Sequence, residues 1–514
     1  MARPREIYGR PAPQVLEPDA EKRHHPLRKR SGSRRSGATV SVNKDLRARV
    51  IVPLIVALAM LMETTDATVL ATALPVLSKD LSVPVLSLKL ALSTYLIAFA
   101  AMVPVSGWLA DRYGARRVFV AAMVVFLTGS ALCSMQSTLA GLVLSRAVQG
   151  AGGAMMVPVG RLIVLRGVAK VDMVQALAWI TVPALMGPAL GPLLGAVVTQ
   201  TLGWRWIFLI NLPVGALAIA LALWLIPRVP REPVSSLDVA GFLLSAVGLG
   251  AILFGLSCLG EHLVSMPLAL GTMGAGAALM AIYLRRARGR SDALVDPRLF
   301  RHHTFSVGIL SGTIFRMSGG AAAFLLPLLF QLGLGLPILF SGALSGLFAL
   351  GGLAMRALAA RIFDRFGFRA TLIAGTLASA AAFAGLGLIQ SVNYALIVPL
   401  VVMAGFAQAL VFTGLNGLVF ADATEGEMGR ATGLSAVSQQ VGLTAGIAVA
   451  ALTLQAGGSP APDAAPELAH FPAAFWAISG VLVLAATTLL RLHSGEARKL
   501  RHIPHTHVPH HDRV

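Results

Sequence analysis

Charge is what this chain has least of. Asp, Glu, Lys and Arg make up only 13% of its 514 residues, against 56% hydrophobic residues and a mean hydropathy of +0.75. Soluble domains carry about a quarter charged residues, so a soluble globular fold is excluded. The apolar runs are continuous stretches of about 20 residues, not short alternating segments, which excludes a membrane β-barrel and leaves an all-α polytopic bundle. Cysteine is almost missing: Cys133 and Cys258 both lie in apolar runs and read as small apolar residues, with no disulfide framework and no metal site. Acids number 23 against 42 basic residues, for a formal charge of +19. Those bases sit in loops and tails between apolar runs, where they set orientation and touch anionic lipid, not nucleic acid.

What is present begins with a polar, Pro-containing, strongly basic segment, residues 1–48, with Arg28-Lys29-Arg30 and Arg34-Arg35. By composition it is a disordered tail. Ser33-Arg34-Arg35 faintly resembles a twin-arginine signal, but the apolar run that follows is too long for a leader and reads as an uncleaved first span. From Val50 the 20-residue criterion gives about fourteen spans, near 50–74, 87–110, 117–136, 139–165, 174–200, 205–227, 238–259, 266–284, 304–331, 338–362, 370–390, 394–421, 431–454 and 472–491. Basic residues cluster in alternate loops: Arg112, Arg116 and Arg117; Arg166 and Lys170; Arg228 and Arg231; Arg285, Arg286, Arg288 and Arg290; Arg361, Arg365 and Arg369. The intervening loops hold little beyond Lys79, Lys89 and Arg205, so both termini are expected in the cytoplasm. A last segment, residues 493–514, carries six histidines; without Cys or carboxylates at ligand spacing it reads as a solvated tail.

An internal repeat organises the rest. Gly107-Trp108-Leu109-Ala110-Asp111-Arg112-Tyr113-Gly114-Ala115-Arg116-Arg117 follows the second span, and Ala360-Arg361-Ile362-Phe363-Asp364-Arg365-Phe366-Gly367-Phe368-Arg369 follows the tenth. Each places Asp-Arg-aromatic-Gly-x-Arg in a short turn, where Gly supplies the bend, Asp caps or pairs with a neighbouring helix, and the bases anchor at the leaflet. Two copies at matching points of two hydrophobic halves indicate parallel repeats. The first copy resembles the signature loop of the major facilitator superfamily, G-x-L-a-D-R-x-G-R-R. Other stretches resemble its motifs too: Asp66-Ala67-Thr68-Val69-Leu70-Ala71-Thr72-Ala73-Leu74-Pro75 in span one, with Thr72 where Asn is usual; Arg146-Ala147-Val148-Gln149-Gly150-Ala151-Gly152-Gly153 in span four; Gly187-Pro188-Ala189-Leu190-Gly191-Pro192-Leu193-Leu194-Gly195 in span five; Trp204-Arg205-Trp206 through Asn211-Leu212-Pro213 at span six; and Arg430-Ala431-Thr432-Gly433 at span thirteen. The second turn falling after span ten makes spans seven and eight, from Asp238-Val239-Ala240-Gly241, extras between the halves. That layout resembles the fourteen-span drug:proton antiporters of the EmrB/QacA type, and the run Gly152 to Leu162 the MdtD-type subgroup.

The resemblance implies a major facilitator fold, with two six-helix bundles plus two extra linker helices, divided as a 1–48 tail, a 49–230 bundle, a 231–300 linker pair, a 301–492 bundle and a 493–514 tail. It implies a proton-coupled efflux transporter for drug-like or lipophilic solutes, working by alternating access in the bacterial inner membrane. With no Walker A, H-E-x-x-H or G-x-S-x-G motif, neither an ATP-driven pump nor a hydrolase is expected, and the ion gradient is left as the energy source. No cofactor is expected. The partners are protons, a small lipophilic solute and the bilayer, not nucleic acid, with room for a periplasmic adaptor and an outer-membrane channel.

Depth singles out the site residues. At about 1.5 Å per residue, Glu63 lies roughly 20 Å and Asp66 roughly 24 Å from the start of span one, in a core about 30 Å thick. Arg146, about seven residues into span four, lies nearly level with them. Carboxylates at that depth are costly and point to function. Arg146 beside Asp66 would hold it ionised, and Glu63, if buried without a cation, is suited to carrying a proton. Asp66, Glu63 and Arg146 form the expected proton-coupling set, with protonation of Asp66, with or without Glu63, resetting the carrier; the competing reading is a permanent ion pair that fixes helices one and four. Arg316, mid-span in the repeat counterpart of span one, has no acid at its level in the second half. It must pair across the cavity, bind carbonyls or water, or await an anionic ligand. Gln331, Gln408, Asn416, Gln439 and Gln440, on or beside second-half spans, are candidates for the cavity wall or for interhelical bonds. Gly187, Gly191 and Gly195 give span five a smooth face, which Pro188 and Pro192 bend. A dedicated exporter of a metabolite, lipid or siderophore, with Arg316 suited to an anionic load, is the alternative on the same fold. A transport-dead sensor or scaffold is disfavoured because it has no need of midplane charges.

Overall fold

A computed structural model describes residues 50–168, 172–227, 237–259, 264–288, 297–422, 424, 427–457 and 465–492. The basic tail, Lys170, Arg228, Arg231, Arg290 and the His-rich segment lie outside them. Contacts divide the chain into Met1–Asp45 and Leu46–Val514, and every helix below belongs to the second unit.

Long apolar segments without an interior break become helices because only a helix satisfies every backbone N–H and C=O within one segment in lipid. Helix α1 is Val52–Leu81, α2 Lys89–Tyr113, α3 Ala115–Ser134, α4 Leu139–Gly167 and α5 Met173–Leu202. Helix α6 spans Arg205–Leu225 with a break at Ile210. The extra pair is α7, Val239–Cys258, and α8, Met266–Ala287. Then come α9, His303–Leu328, α10, Ile338–Phe366, α11, Phe368–Leu386, α12, Tyr394–Phe420, α13, Met428–Ala456, and α14, Phe471–Leu489. Thirteen helices among the described residues are long and apolar enough to cross a membrane. Helix α5, with 30 residues and three internal prolines, completes the expected fourteen.

The two halves pack alike. In the first, α1 lies on α5, α3 and α2 on α4, and α6 on α1 and α3; in the second, α9 lies on α13, α11 and α10 on α12, and α14 on α9 and α11. The bundles meet through α2 with α13 and α5 with α10, two contacts that the repeat exchanges, and through α1 with α9. Lipid gives helices no hydrophobic reason to associate, so small residues that admit close backbones carry much of the packing. On α5, a Cβ added at Gly187, Gly191 or Gly195 would strike Thr64, Thr68 and Thr72 of α1 in turn. On α13, Gly442 and Gly446 sit against the backbone of Thr313 and Met317 of α9 in the same manner.

The paired turns have matching mechanics. Gly114 and Gly367 adopt φ of +94° and +80°, a conformation other residues rarely take. Arg116 then donates to the Leu223 carbonyl near the end of α6, and Arg369 to the Leu490 carbonyl past the end of α14, 3.0 Å away. Asp111 pairs with Arg166 at the end of α4, at 2.8 Å. Asp364 and Arg365 are exposed at the second turn, where Phe363 stacks on Phe368. Gly107 has open space beside it, and Arg112 is exposed.

The extra pair leans on the seam. Gly248 and Gly276 let α7 and α8 cross backbone to backbone, and α7 packs against both α2 and α13. Asp238 caps α7 through the Gly241 N–H and pairs with Arg286 of α8 at 3.1 Å. Buried Lys89 of α2 donates to the Leu259 carbonyl that ends α7, at 3.1 Å.

Candidate functional site

Three residues apart on α1, Glu63 and Asp66 fall on one helical face, turned into the first bundle. Asp66 is buried and fully engaged. Arg146 Nη1 of α4 donates to Oδ2 at 2.6 Å; Gln149 Nε2 of α4 and Asn211 Nδ2 of α6 donate to Oδ1 at 2.9 and 2.8 Å. The guanidinium also donates to Gln149 Oε1, at 2.7 Å, and lies over the Tyr95 ring with its centroid 4.4 Å away. Ser130 of α3 accepts from Asn211 at 3.1 Å and donates to the Phe208 carbonyl at 2.9 Å. Residues of five helices therefore form the network around this carboxylate, which is itself bonded from two of them. Its Arg146 partner has a side chain only 1% exposed, so the pair is dry and each ion depends on the other.

Glu63 is held differently. Its only bond among the described residues is from the Tyr95 hydroxyl of α2, at 2.8 Å, and it is buried with no cation in contact. Glycines of α4 make this pocket: Gly150 admits the Tyr95 backbone, Gly152 that of Phe126 on α3, and Gly153 lies under the Tyr95 hydroxyl and the Glu63 side chain. The run Gly150 to Gly153 is thus a packing surface, not a phosphate loop.

In the second bundle Arg316 is 2% exposed. Nη2 donates to Asn416 Oδ1 of α12 at 2.7 Å, and the guanidinium carbon stands 5.3 Å from the Phe412 ring centroid. No ion pair joins Arg316 to Glu63; each finds its partners inside its own bundle.

Between the bundles lies a cavity of about 280 Å³, walled by α1, α5, α9, α10 and α12. Its wall is apolar apart from Thr68, Thr72, Ser345 and Gln408, with Pro188, Pro192, Leu326, Phe348 and Phe412 among the rest. Of the six residues expected to line it, Gln408 does. Glu63 and Asp66 sit inside the first bundle, and Arg316 and Asn416 stand behind Phe412. Gln331, past the proline of α9, donates to the Thr72 carbonyl across the bundle interface at 2.9 Å. A smaller space of about 140 Å³ between α1, α5 and α6 is lined by Asp66 and Asn211 among apolar residues. Tyr95, Gln149, Ser130 and Asn211 complete the site without having been singled out in sequence. Gln149 and Asn211 stood within quoted motifs, a usable signal, whereas Tyr95 and Ser130 offered only polarity within a span.

A model of the Major Facilitator Superfamily matches residues 56–447, and again 309–509. A probable transport protein, HsrA, from Haemophilus influenzae is 34% identical over 88% of this chain and 97% of its own. A putative multidrug resistance protein, MdtD, from Cronobacter sakazakii is 36% identical over 79% of this chain and 86% of its own. Among solved structures, a POT family transporter in complex with 5-aminolevulinic acid superposes with a TM-score of 0.66 at 15% identity, covering 85% of this chain and 94% of its own. The nucleoside transporter NupG superposes with a TM-score of 0.61 at 12% identity, covering 87% and 99%. At those identities the likeness is of fold alone.

Proposed function

The chain belongs to the major facilitator superfamily and is a multi-pass membrane transporter, not an enzyme, and from that premise we propose that it is a proton-coupled antiporter exporting lipophilic compounds. The observation that carries the reading is the unequal treatment of two neighbouring carboxylates. Asp66, with three donors from two helices, is a fixed charge. Glu63, with one hydroxyl for company, is the group whose charge the surroundings do not demand. A proton taken at Glu63 neutralises a buried carboxylate, which favours a dry, closed bundle; its release is favoured when water reaches the site.

The cargo space is the apolar cavity between the bundles, whose chemistry suits a lipophilic body. With the basic loops on the cytoplasmic side, Gln331 and Thr72 seal the outer end, and rocking of the bundles about the α5–α10 and α2–α13 contacts gives alternating access. The name of the MdtD relative, a putative multidrug resistance protein, supports this reading. On this reading the membrane is the bacterial inner membrane and both termini are cytoplasmic; a periplasmic adaptor and outer-membrane channel would extend the route. The test is extrusion of a lipophilic dye panel by energised inverted vesicles. Dye accumulation should collapse when an uncoupler is added, and accumulation that survives the uncoupler overturns antiport.

A further inference from the structure

The least satisfied charge among the described residues lies outside the acid network. Arg316 is 2% exposed, yet its Nε and Nη1 have no hydrogen-bond partner; only Nη2 is engaged, by the neutral Asn416. A buried guanidinium held by one amide is unstable relative to one that meets an anion. The described residues of the second half offer it none: Asp364 falls in the last turn of α10, and Asp422, Glu427 and Glu467 lie beyond the helix ends, so no described acid of that half shares its level. Glu63 is bonded to Tyr95 in the other bundle.

The position is built for the arginine. A Cβ at Gly312, one turn earlier on α9, would run into Nη1, and a Cβ at Gly442 of α13 would strike its Cβ, so two bare backbones make room for stem and head. The head lies behind a ring that the cavity itself touches: Phe412 lines the cavity and sits against the guanidinium. One turn along α12, Gln408 also faces the cavity and accepts from Ser318 at 2.9 Å. Phe412 thus touches both the apolar chamber and a guanidinium whose two unpaired donors belong to the fork that matches a carboxylate.

We infer that Arg316 is an anion-binding point of the central cavity, and that the cargo it selects is an amphiphile with an apolar body and one acidic group, a carboxylate or its equivalent. Asn416 orients the guanidinium and Phe412 covers it until the acid arrives. This deepens the export reading, since it rests on the cavity being the cargo space.

The experiment uses the full chain in lipid nanodiscs and a fluorescent undecanoic acid, compared with the methyl ester of the same probe. Wild type should bind the acid about tenfold or more tightly than the ester, because a charge-assisted bond replaces none. Arg316→Gln should bring the acid to within about twofold of the ester while ester binding stays at the wild-type level, which also reports an intact fold. Arg316→Lys, keeping the charge but losing the fork, should keep only part of the preference. Asn416→Asp supplies a counter-ion without removing the arginine and should abolish the preference too. Equal binding of acid and ester by wild type, or a preference unchanged in Arg316→Gln and Asn416→Asp, overturns the inference. The two readings fail separately. Acid preference without extrusion of either probe from vesicles sinks export and leaves the site; equal extrusion and equal binding sink the site and leave export.

Discussion

At the scale of the residue, the two acids of α1 answer to different neighbours. Asp66 shares its burial with Arg146, Gln149 and Asn211, so replacing it by Asn strands a dry guanidinium. Removing one partner of such a pair costs about 3–5 kcal/mol. Asp66→Asn should therefore lower the thermal unfolding midpoint in detergent by several degrees as well as stopping transport. Glu63→Gln keeps the bond from Tyr95 and removes only the exchangeable charge. It should melt within about a degree or two of wild type, yet lose proton-driven dye efflux by about tenfold or more, the scale of an ordinary coupling free energy. If Glu63→Gln melts as badly as Asp66→Asn, or if it still exports at the wild-type rate, the division of roles is wrong.

At the scale of the element, α5 is a ratchet of small residues against α1. The added Cβ in Gly191→Ala would collide with Thr68 Oγ1, which is itself bonded to the carbonyls of Thr64 and Thr65. Overpacking of this kind costs about 1–3 kcal/mol. Gly191→Ala should lose stability and transport together, and the double variant Gly191→Ala with Thr68→Ala should recover much of both, since the next nearest atoms stand at 3.2 and 3.3 Å. A thermal shift assay that shows simple additivity of the two changes would rule out this contact as the cause. The same helix presents Pro188 and Pro192 to the cavity and touches α10 at Gly342 and Gly346, so one element reads the acid-bearing helix on one side and the opposite bundle on the other.

At the scale of the whole molecule, the bundles are closed at the end where α1 and α9 finish. Gln331 reaches Thr72, and a Cβ at Gly342 would stand 2.6 Å from that of Ala196. A disulfide needs about 3.8 Å between Cβ atoms, so the helices must part slightly to hold one. In a background lacking Cys133 and Cys258, the pair Ala196→Cys and Gly342→Cys should oxidise readily and arrest transport, with reductant restoring it. Cross-linked protein that transports at the reduced rate or faster would show that the bundles need not separate here.

Much of this was open to reading from the chain. The fourteen spans, their near boundaries and the repeat of the Asp-Arg-aromatic-Gly turn were legible because lipid demands long apolar helices and because Gly114 and Gly367 must take positive φ. Depth placed Glu63, Asp66 and Arg146 at nearly one level in a medium that tolerates no lone charge, which made an acid–Arg146 pairing legible, while the choice of Asp66 as the bonded partner came from the structure. Tyr95 was not, because which polar residue of α2 turns toward Glu63 depends on the rotation of α2 against α4, set by the backbone contact at Gly150. Nor was the separation of Arg316 from Glu63. Sequence spacing gives depth along the membrane normal, whereas the direction a side chain takes within the membrane plane is fixed by packing. That is why the sequence alone determined the architecture and the charges, and only the tertiary structure decided that one acid is fixed, the other loosely held, and Arg316 left with open donors behind Phe412.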